Sequence, residues 1–418
     1  MPGNSPLYTA PKSSSDFWKF WAGQSISTLG SSFTGFALPL LIFKLTGSPL
    51  DLSFTVAASV LPYLFFGLVI GAWVDRVNRK RLMILTDLAR ALVIASIPLV
   101  SVFGLLSVWW IYAVVFVNST LSICFDAANF AAIPGLVSQD DLVKANGRIQ
   151  ASYSTARILG PLLAGLLILL VPLPALLLID GSSFLISAGS LVLVRTSFNT
   201  APVEKKATTS IRHDILEGLQ YVLRQPVLRS ITLLLLFINF IIPTAGAQLV
   251  LFAKEWLHAS DSQVGFLYAS GSIGTVLFSL VANQLRKRCP IGTFLLGAIV
   301  LEGVFIAASA LAHVYWVVLL LWGLRGGVDI LFLIGAYSLV QVIVPNHLLG
   351  RVITFTRVLT WSTASLGVLI GGFAIEQTKN VSLVYGVIGI LVAFTALIFF
   401  LSPLGHAERY LPESPPSP

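Results

Sequence analysis

The sequence predicts an all-α integral membrane protein: twelve transmembrane helices in two six-helix, pseudo-symmetric halves. Three observations carry that expectation. The chain has 418 residues, of which 56% are hydrophobic and 11% charged, with a mean hydropathy of +0.89. Soluble domains carry about 25% charged residues, so this composition offers too little polar surface for solution. Twelve apolar stretches reach the length of about 20 residues that crosses a bilayer core. The longest polar stretch, 195–229, falls near the middle of the chain and divides them six and six.

In order, helices are expected at 17–45, 52–74, 82–104, 107–131, 148–171 and 173–194, then at 228–253, 262–284, 291–312, 315–342, 352–376 and 381–402. The plan is therefore a tail over 1–16, a first half over 17–195, a linker over 196–227, a second half over 228–402 and a tail over 403–418. The polar, Ser- and Pro-rich start lacks the apolar core and cleavage site of a secretory signal, so the first helix is expected to insert as its own signal. In the linker, Ile211, Ile215, Leu219 and Val222 share one helical face. That suits an amphipathic helix on the cytoplasmic surface; a tether with a helical turn or two fits equally.

Orientation follows from Lys and Arg. One set of loops holds Lys12 and Lys19, Arg76 to Arg81, Lys144 and Arg148, the linker, Arg286 to Arg288, and Arg351; the opposite set holds only Lys44, Lys254 and Lys379. Both termini are expected to be cytoplasmic, in a cell membrane. The net charge of +8 is then mainly a topology signal, and nothing in it requires nucleic acid, which needs a basic groove with stacking aromatics. Two cysteines, Cys124 and Cys289, and five scattered histidines give no disulfide framework, metal site or cofactor site. Trp109, Trp110, Tyr315 and Trp316, at helix starts, read as interfacial anchors.

The halves repeat weakly but in order. Asn283 and Lys287 after helix 8 stand where Asp75 and Arg79 stand after helix 2. Arg148 opens helix 5 as Arg351 opens helix 11, and Gly160 and Gly165 resemble Gly367 and Gly372. Parallel repeats meeting at a midplane site characterise one large transporter class.

These residues carry a resemblance. Gly71-Ala72-Trp73-Val74-Asp75-Arg76-Val77-Asn78-Arg79-Lys80 resembles the loop between helices 2 and 3 of the major facilitator superfamily. Pro134-Gly135-Leu136-Val137, Lys144-Ala145-Asn146, Asp180 with Phe184, and Glu217-Gly218-Leu219-Gln220-Tyr221 resemble its drug-efflux branch, which includes macrolide and enterobactin exporters. Gly160-Pro161-Leu162-Leu163-Ala164-Gly165 is similar to the antiporter motif of helix 5. There are two departures: helix 4 lacks the Arg many relatives use in proton coupling, and Ser31 and Ser32 stand where many carry an acid. The resemblance implies a monomeric secondary transporter in the bilayer, of alternating-access type, exchanging protons for an exported amphiphilic small molecule. It also implies a cytoplasmic gate of Gly71, Asp75, Arg76, Arg79, Lys80 and Arg351, with Asp75 pairing Arg79 or Arg351. A solvated turn with an ion pair worth about 0–1 kcal/mol is the plain alternative.

Charges at membrane depth are costly and usually face a cavity or a partner. Asp87 and Arg90, three apart, share a face and read as a structural pair. Asp126, Asp180 and Glu302 stand within helices 4, 6 and 9, while Arg325 and Asp329 share a face of helix 10, with Arg325 at the position of Asn118 in the first half. Glu302, Arg325 and Asp329 are the leading candidates for binding substrate or a proton, with Asp126 and Asp180 beside them; a purely structural Arg325–Asp329 pair is the alternative. Gly160, Pro161, Gly165, Gly367 and Gly371 permit the kinks and tight contacts of hinged helices. Trp361, Tyr337, Phe332 and Tyr153 can line a cavity or simply pack. No Gly-x-x-x-x-Gly-Lys-Ser/Thr loop for ATP and no nucleophile–His or metal-ligand spacing occurs, so an enzyme is not expected. An importer or lipid flippase on the same fold, and a non-transporting membrane sensor, remain as alternative functions.

Overall fold

Apolar runs set the helices, and polar caps stand where the runs break. Asn78 accepts from the Arg81 amide ahead of one helix, Ser107 from Trp110 ahead of the next, and Ser260 with Gln263 forms a reciprocal capping box. The computed structural model describes residues 14–74, 76–138, 141–196, 198 and 211–410. Asp75, both outer tails and most of the linker ahead of residue 211 lie outside the described residues, as does the side chain of Arg351.

The first six helices are α1 (Ser14–Thr46), α2 (Pro49–Val74), α3 (Arg79–Val102), α4 (Val108–Leu136), α5 (Leu142–Leu167) and α6 (Leu173–Leu193). After them α7 (Ile211–Arg224) occupies the linker. The second set opens with α8 (Pro226–Ile241), continued by the short α9 (Pro243–Ala247), α10 (Leu249–Leu251) and a π-helical turn over Phe252–Trp256. It closes with α11 (Asp261–Arg286), α12 (Ile291–Leu311), α13 (Tyr315–Ile343), α14 (Asn346–Thr378) and α15 (Val381–Phe399). Among the described residues, eleven helices are long and apolar enough to cross a membrane. The twelfth, α5, is long enough, but Lys144, Arg148 and Arg157 dilute its apolar run.

Three boundaries differ from expectation, each for a physical reason. The span expected as one helix over 228–253 is interrupted, because Pro243 has no amide to donate and its ring crowds the preceding turn. The eleventh span begins at Asn346 and not 352, since Pro345 turns the residue before it away from helical geometry, ending α13 at Ile343, and itself stands as the N-cap of the next helix. The fifth begins at Leu142, directly behind Asp141. There the Ser138 hydroxyl, 2.9 Å away, and Lys144, at 3.2 Å, hold the Asp141 carboxyl below the usual carboxylate range.

The described residues divide into two compact units. One runs up to Leu41 and from Ala58 into the linker; the other takes Ile42–Ala57 and, from within the linker, α7 and all that follows it. In the first, α3 packs on α4 and α6 around Met83, Phe125, Leu136, Leu191 and Phe198. Buried Asp16 ties the start of α1 to the chain leaving α6: its Oδ2 accepts from the amides of Arg195 and Thr196, both at 2.9 Å, and from the Thr196 hydroxyl at 2.8 Å. Asp16→Ala would strand those donors, and a destabilisation of about 1–3 kcal/mol is expected in thermal unfolding of the purified protein. An unchanged midpoint would show that water serves them equally well.

In the second unit α12 packs on α15 and α13 on α11. A side chain at Gly274 or Gly326 would overlap the backbone of Gly323 or Gly271, so these helices meet backbone to backbone. The hairpin segment Ile42–Ala57 belongs here too: Gln248 Nε2 donates to Pro49 O and Ser53 Oγ, both at 2.8 Å, and Ser53 Oγ donates to Val368 O at 2.9 Å. The three lysines of the sparsely charged loop set all have acids: Lys44 and Lys254 meet on Asp261, and Lys379 lies 2.7 Å from Glu376.

Candidate functional site

In α12 an almost wholly apolar run carries one acid, Glu302, whose residue is 0% exposed. Its compensation comes from the neighbouring α13, where Arg325 Nη2 lies 3.1 Å from Glu302 Oε1. The guanidinium also stacks over Trp322, three residues earlier on its own helix, at 4.6 Å. Glu302 Oε2 has no hydrogen-bond partner among the described residues. Asp329, one turn along α13, is exposed and forms no ion pair with Arg325 among the described residues. Of the three leading candidates the fold therefore joins Glu302 and Arg325, and the alternative Arg325–Asp329 pair is replaced by a bond between helices. The reason is energetic: an exposed Asp329 is compensated by solvent, whereas a sealed carboxylate needs a cation.

The first half has a parallel arrangement on its own third and fourth helices. Asp87 of α3 is also 0% exposed; it accepts from Ser187 Oγ at 2.6 Å and lies 3.9 Å from Arg90. Gln24 Nε2 donates in turn to Ser187 Oγ at 3.0 Å. Arg90 donates to Asn118 Oδ1 at 3.3 Å and sits 4.0 Å over the Phe184 ring. So where α13 supplies its own Arg325, the equivalent Asn118 of α4 receives a guanidinium from α3. The third helix of each half thus carries a sealed acid, Asp87 in one and Glu302 in the other. In the sequence that correspondence is hidden, because pairing with Arg90 along the same helix accounts for Asp87 locally.

Asp180 of α6 is sealed among hydroxyls, accepting from Thr34, from Ser31 at 3.3 Å and from Ser183 at 3.3 Å. Ser31, standing where many facilitators carry an acid, is thus in contact with an acid presented by another helix. Asp126 of α4 is exposed, with the Tyr63 hydroxyl of α2 donating to it at 3.4 Å.

The residues expected to form a cytoplasmic gate lie partly within the described ones. Gly71 and Arg76 are exposed. Arg79 Nη1 donates to Ala131 O at 3.1 Å and Phe198 O at 3.2 Å, and Lys80 Nζ donates to Val192 O and Val194 O at the end of α6. Cations on the carbonyls of a helix C-terminus are favourably placed, so both basic residues bind the start of α3 to its neighbours. The glycines expected at hinges lie at close contacts. A side chain at Gly160 would overlap Ser32 of α1, one at Gly367 the Phe240 carbonyl of α8, and one at Gly371 the side chain of Thr244, while Gly165 is buried and Pro161 stands inside α5.

A cavity of about 200 Å³ opens in the second half between α8, α13 and α14, lined by Asn239, Tyr337, Thr356, Thr360 and Trp361 among aliphatic side chains. Tyr337 and Trp361 thus line a cavity, Phe332 is buried in packing, and Tyr153 borders a small cleft beside Gln24 and Asn129.

Long apolar helices in two compact units, with ionisable groups buried among them, fit a membrane transporter. The chain belongs to the transmembrane secretion effector family, whose profile matches residues 6–416. It is 28% identical over 402 residues to the uncharacterized MFS-type transporter YfiS of Bacillus subtilis, covering 93% of this chain and 94% of that one. It is 27% identical over 397 residues to the multidrug efflux pump Tap of Mycolicibacterium fortuitum, covering 92% of each. Macrolide efflux protein A of Streptococcus pyogenes is 29% identical over 277 residues, 65% of this chain and 68% of that one. Among solved structures, the nucleoside transporter NupG superposes with a TM-score of 0.73 at 15% identity, covering 93% of this chain and 99% of that one. A bacterial homologue of the iron transporter ferroportin gives 0.73 at 17%, covering 92% and 98%. Family and relatives are transporters, not enzymes.

Proposed function

We propose that this transporter is a proton-coupled exporter of amphiphilic small molecules, working as a monomer by alternating access in the cell membrane with both termini cytoplasmic. The observation that carries the reading is Glu302: fully sealed, held by one cation on another helix, and with its second oxygen unbonded among the described residues. Separating α12 from α13 would leave an uncompensated carboxylate, a state that a proton relieves. Helix movement and proton uptake are linked in that way, with Asp329, Asp126 and Asp180 as further groups a substrate or proton can meet. The efflux names of Tap and macrolide efflux protein A support the outward direction. Six-helix halves over 17–195 and 228–402 would move about Gly160, Pro161, Gly165, Gly367 and Gly371, closed on the cytoplasmic side by Asp75 with Gly71, Arg76, Arg79, Lys80 and Arg351.

The test is uptake into inside-out vesicles of cationic dyes, macrolides and siderophores, with and without a proton gradient. Gradient-driven uptake is expected in the native protein and its loss in Glu302→Gln. Full gradient-driven uptake in both Glu302→Gln and Asp329→Asn would remove these acids from coupling. Uptake indifferent to the gradient would remove protons, and accumulation only in right-side-out vesicles would mark an importer. Asp75→Asn is expected to insert normally and transport poorly.

A further inference from the structure

Cations gather where the chain leaves α6. Lys80 Nζ, at the start of α3, donates to Val192 O and Val194 O, Lys19 Nζ, at the start of α1, donates to Leu193 O at 3.4 Å, and Arg195 follows directly. The acid among these groups, Asp16, is fully engaged. Its Oδ2 accepts from the Arg195 and Thr196 amides and the Thr196 hydroxyl, and its Oδ1 accepts from Lys19 at 3.0 Å. The Arg195 guanidinium, by contrast, is exposed and forms no ion pair or hydrogen bond among the described residues. Three positive charges against one negative charge leave this end of α6 electropositive, with one cation uncommitted.

An open recess of about 670 Å³ lies here, with Asp16, Lys19, Arg195 and Thr196 as its polar wall and Val192 and Leu193 as its apolar one. The two apolar side chains are 60% and 64% exposed, at the very end of a helix long and apolar enough to cross a membrane. Side chains so placed meet acyl chains, and basic groups beside them stand at headgroup height, where each attracts anionic lipid. A recess joining positive charge to hydrocarbon complements one ligand chemistry, a negative head on an apolar body. A free inorganic anion would use the cations and leave the apolar wall bare. A zwitterionic phospholipid would bring a positive group against Lys19 and Arg195.

We infer that the recess where the chain leaves α6 is a headgroup site for an anionic phospholipid, with Arg195 and Lys19 holding the phosphate and Val192 and Leu193 the first part of the acyl chains. The site needs neither export nor proton coupling. Equilibrium binding of short-chain phosphatidylglycerol, short-chain phosphatidylcholine and inorganic phosphate is measured on the full-length protein in a neutral detergent, with thermal unfolding as the check of folding. The native protein is expected to prefer phosphatidylglycerol over phosphatidylcholine by about tenfold or more, and Arg195→Gln to reduce that ratio by about fivefold. Arg195→Lys, which keeps the charge, is expected to hold most of the preference. Lys19→Gln should lower the ratio independently, so a folding defect in one variant leaves the other decisive. Lys287→Gln, an exposed basic position in another loop, should leave it native. No preference in the native protein, or a native ratio in both folded Arg195→Gln and Lys19→Gln, overturns the inference. So does an equal loss in Lys287→Gln, which would mark a diffuse surface charge, and so does inorganic phosphate binding as tightly as the lipid, which would mark a plain anion site.

Discussion

Arg325→Met is expected to destabilise the folded protein by up to about 3–5 kcal/mol, because it leaves Glu302 in a sealed site with no cation, where its charge is relieved only by taking up a proton. Glu302→Gln is expected to cost less, since Arg325 is partly exposed and keeps the Trp322 face. The double variant Glu302→Gln with Arg325→Met removes both charges and should recover most of the stability, as replacement of a buried ion pair by neutral groups often does. Gradient-driven uptake should stay absent in it. Thermal unfolding and vesicle transport, measured on all three proteins, separate the two roles. A double variant that both folds and transports would reduce the pair to packing, whereas one no more stable than Arg325→Met would mean that the guanidinium contributes mainly through its stack on Trp322. Arg325→Lys tests that last point, because an ammonium keeps the charge and loses the planar contact.

Gly367→Ala is the second large effect. A methyl group there would overlap the Phe240 carbonyl oxygen and stand 2.6 Å from its carbon and 3.0 Å from Cα. The three nearest atoms are all backbone, so no side-chain rotation relieves them and α14 must move off α8. The cost is expected to exceed the roughly 1–3 kcal/mol of ordinary overpacking, seen as loss of the monodisperse peak when detergent extracts are chromatographed. At Gly160 the obstruction is mainly the Ser32 side chain, so Gly160→Ala should be repaired by Ser32→Gly, a rescue that has no counterpart at Gly367. On α12, a methyl group at Gly297 would meet nothing within 4 Å, and Gly297→Ala should be tolerated. A well-behaved Gly367→Ala protein would mean that the two helices are less tightly apposed than their backbones indicate.

These two cases also show what one sequence can and cannot reveal. The scarcity of charge makes Glu302 and Arg325 visible as candidates, since an apolar helix gives a lone acid nowhere to hide. Their partnership is not visible: spacing along α13 points Arg325 to Asp329, and a contact between helices depends on rotations that spacing along one helix does not encode. The same limit applies to Asp180, whose hydroxyl partners come from α1 as well as its own helix, and to Gly367, where a repeat locates the glycine without naming Phe240. Helix existence follows from run length alone. Helix ends follow poorly, because the polar first turns of α5 and the proline-broken continuation of α8 depend on capping and local hydrogen bonding that hydropathy does not report.

The segment Ile42–Ala57 clusters with the second unit although it lies in the chain within the first six helices. Both α1 and α2 therefore run from one unit into the other. Each helix carries a proline close to where it passes from one unit to the other: Pro39 stands three positions before Ile42 in α1, and Pro62 five positions after Ala57 in α2. Each removes one rung of the helical ladder and weakens the helix against bending there. The hairpin thus carries a proline on each arm, and its hydrogen bonds with Gln248 and Val368 tie it to the second unit.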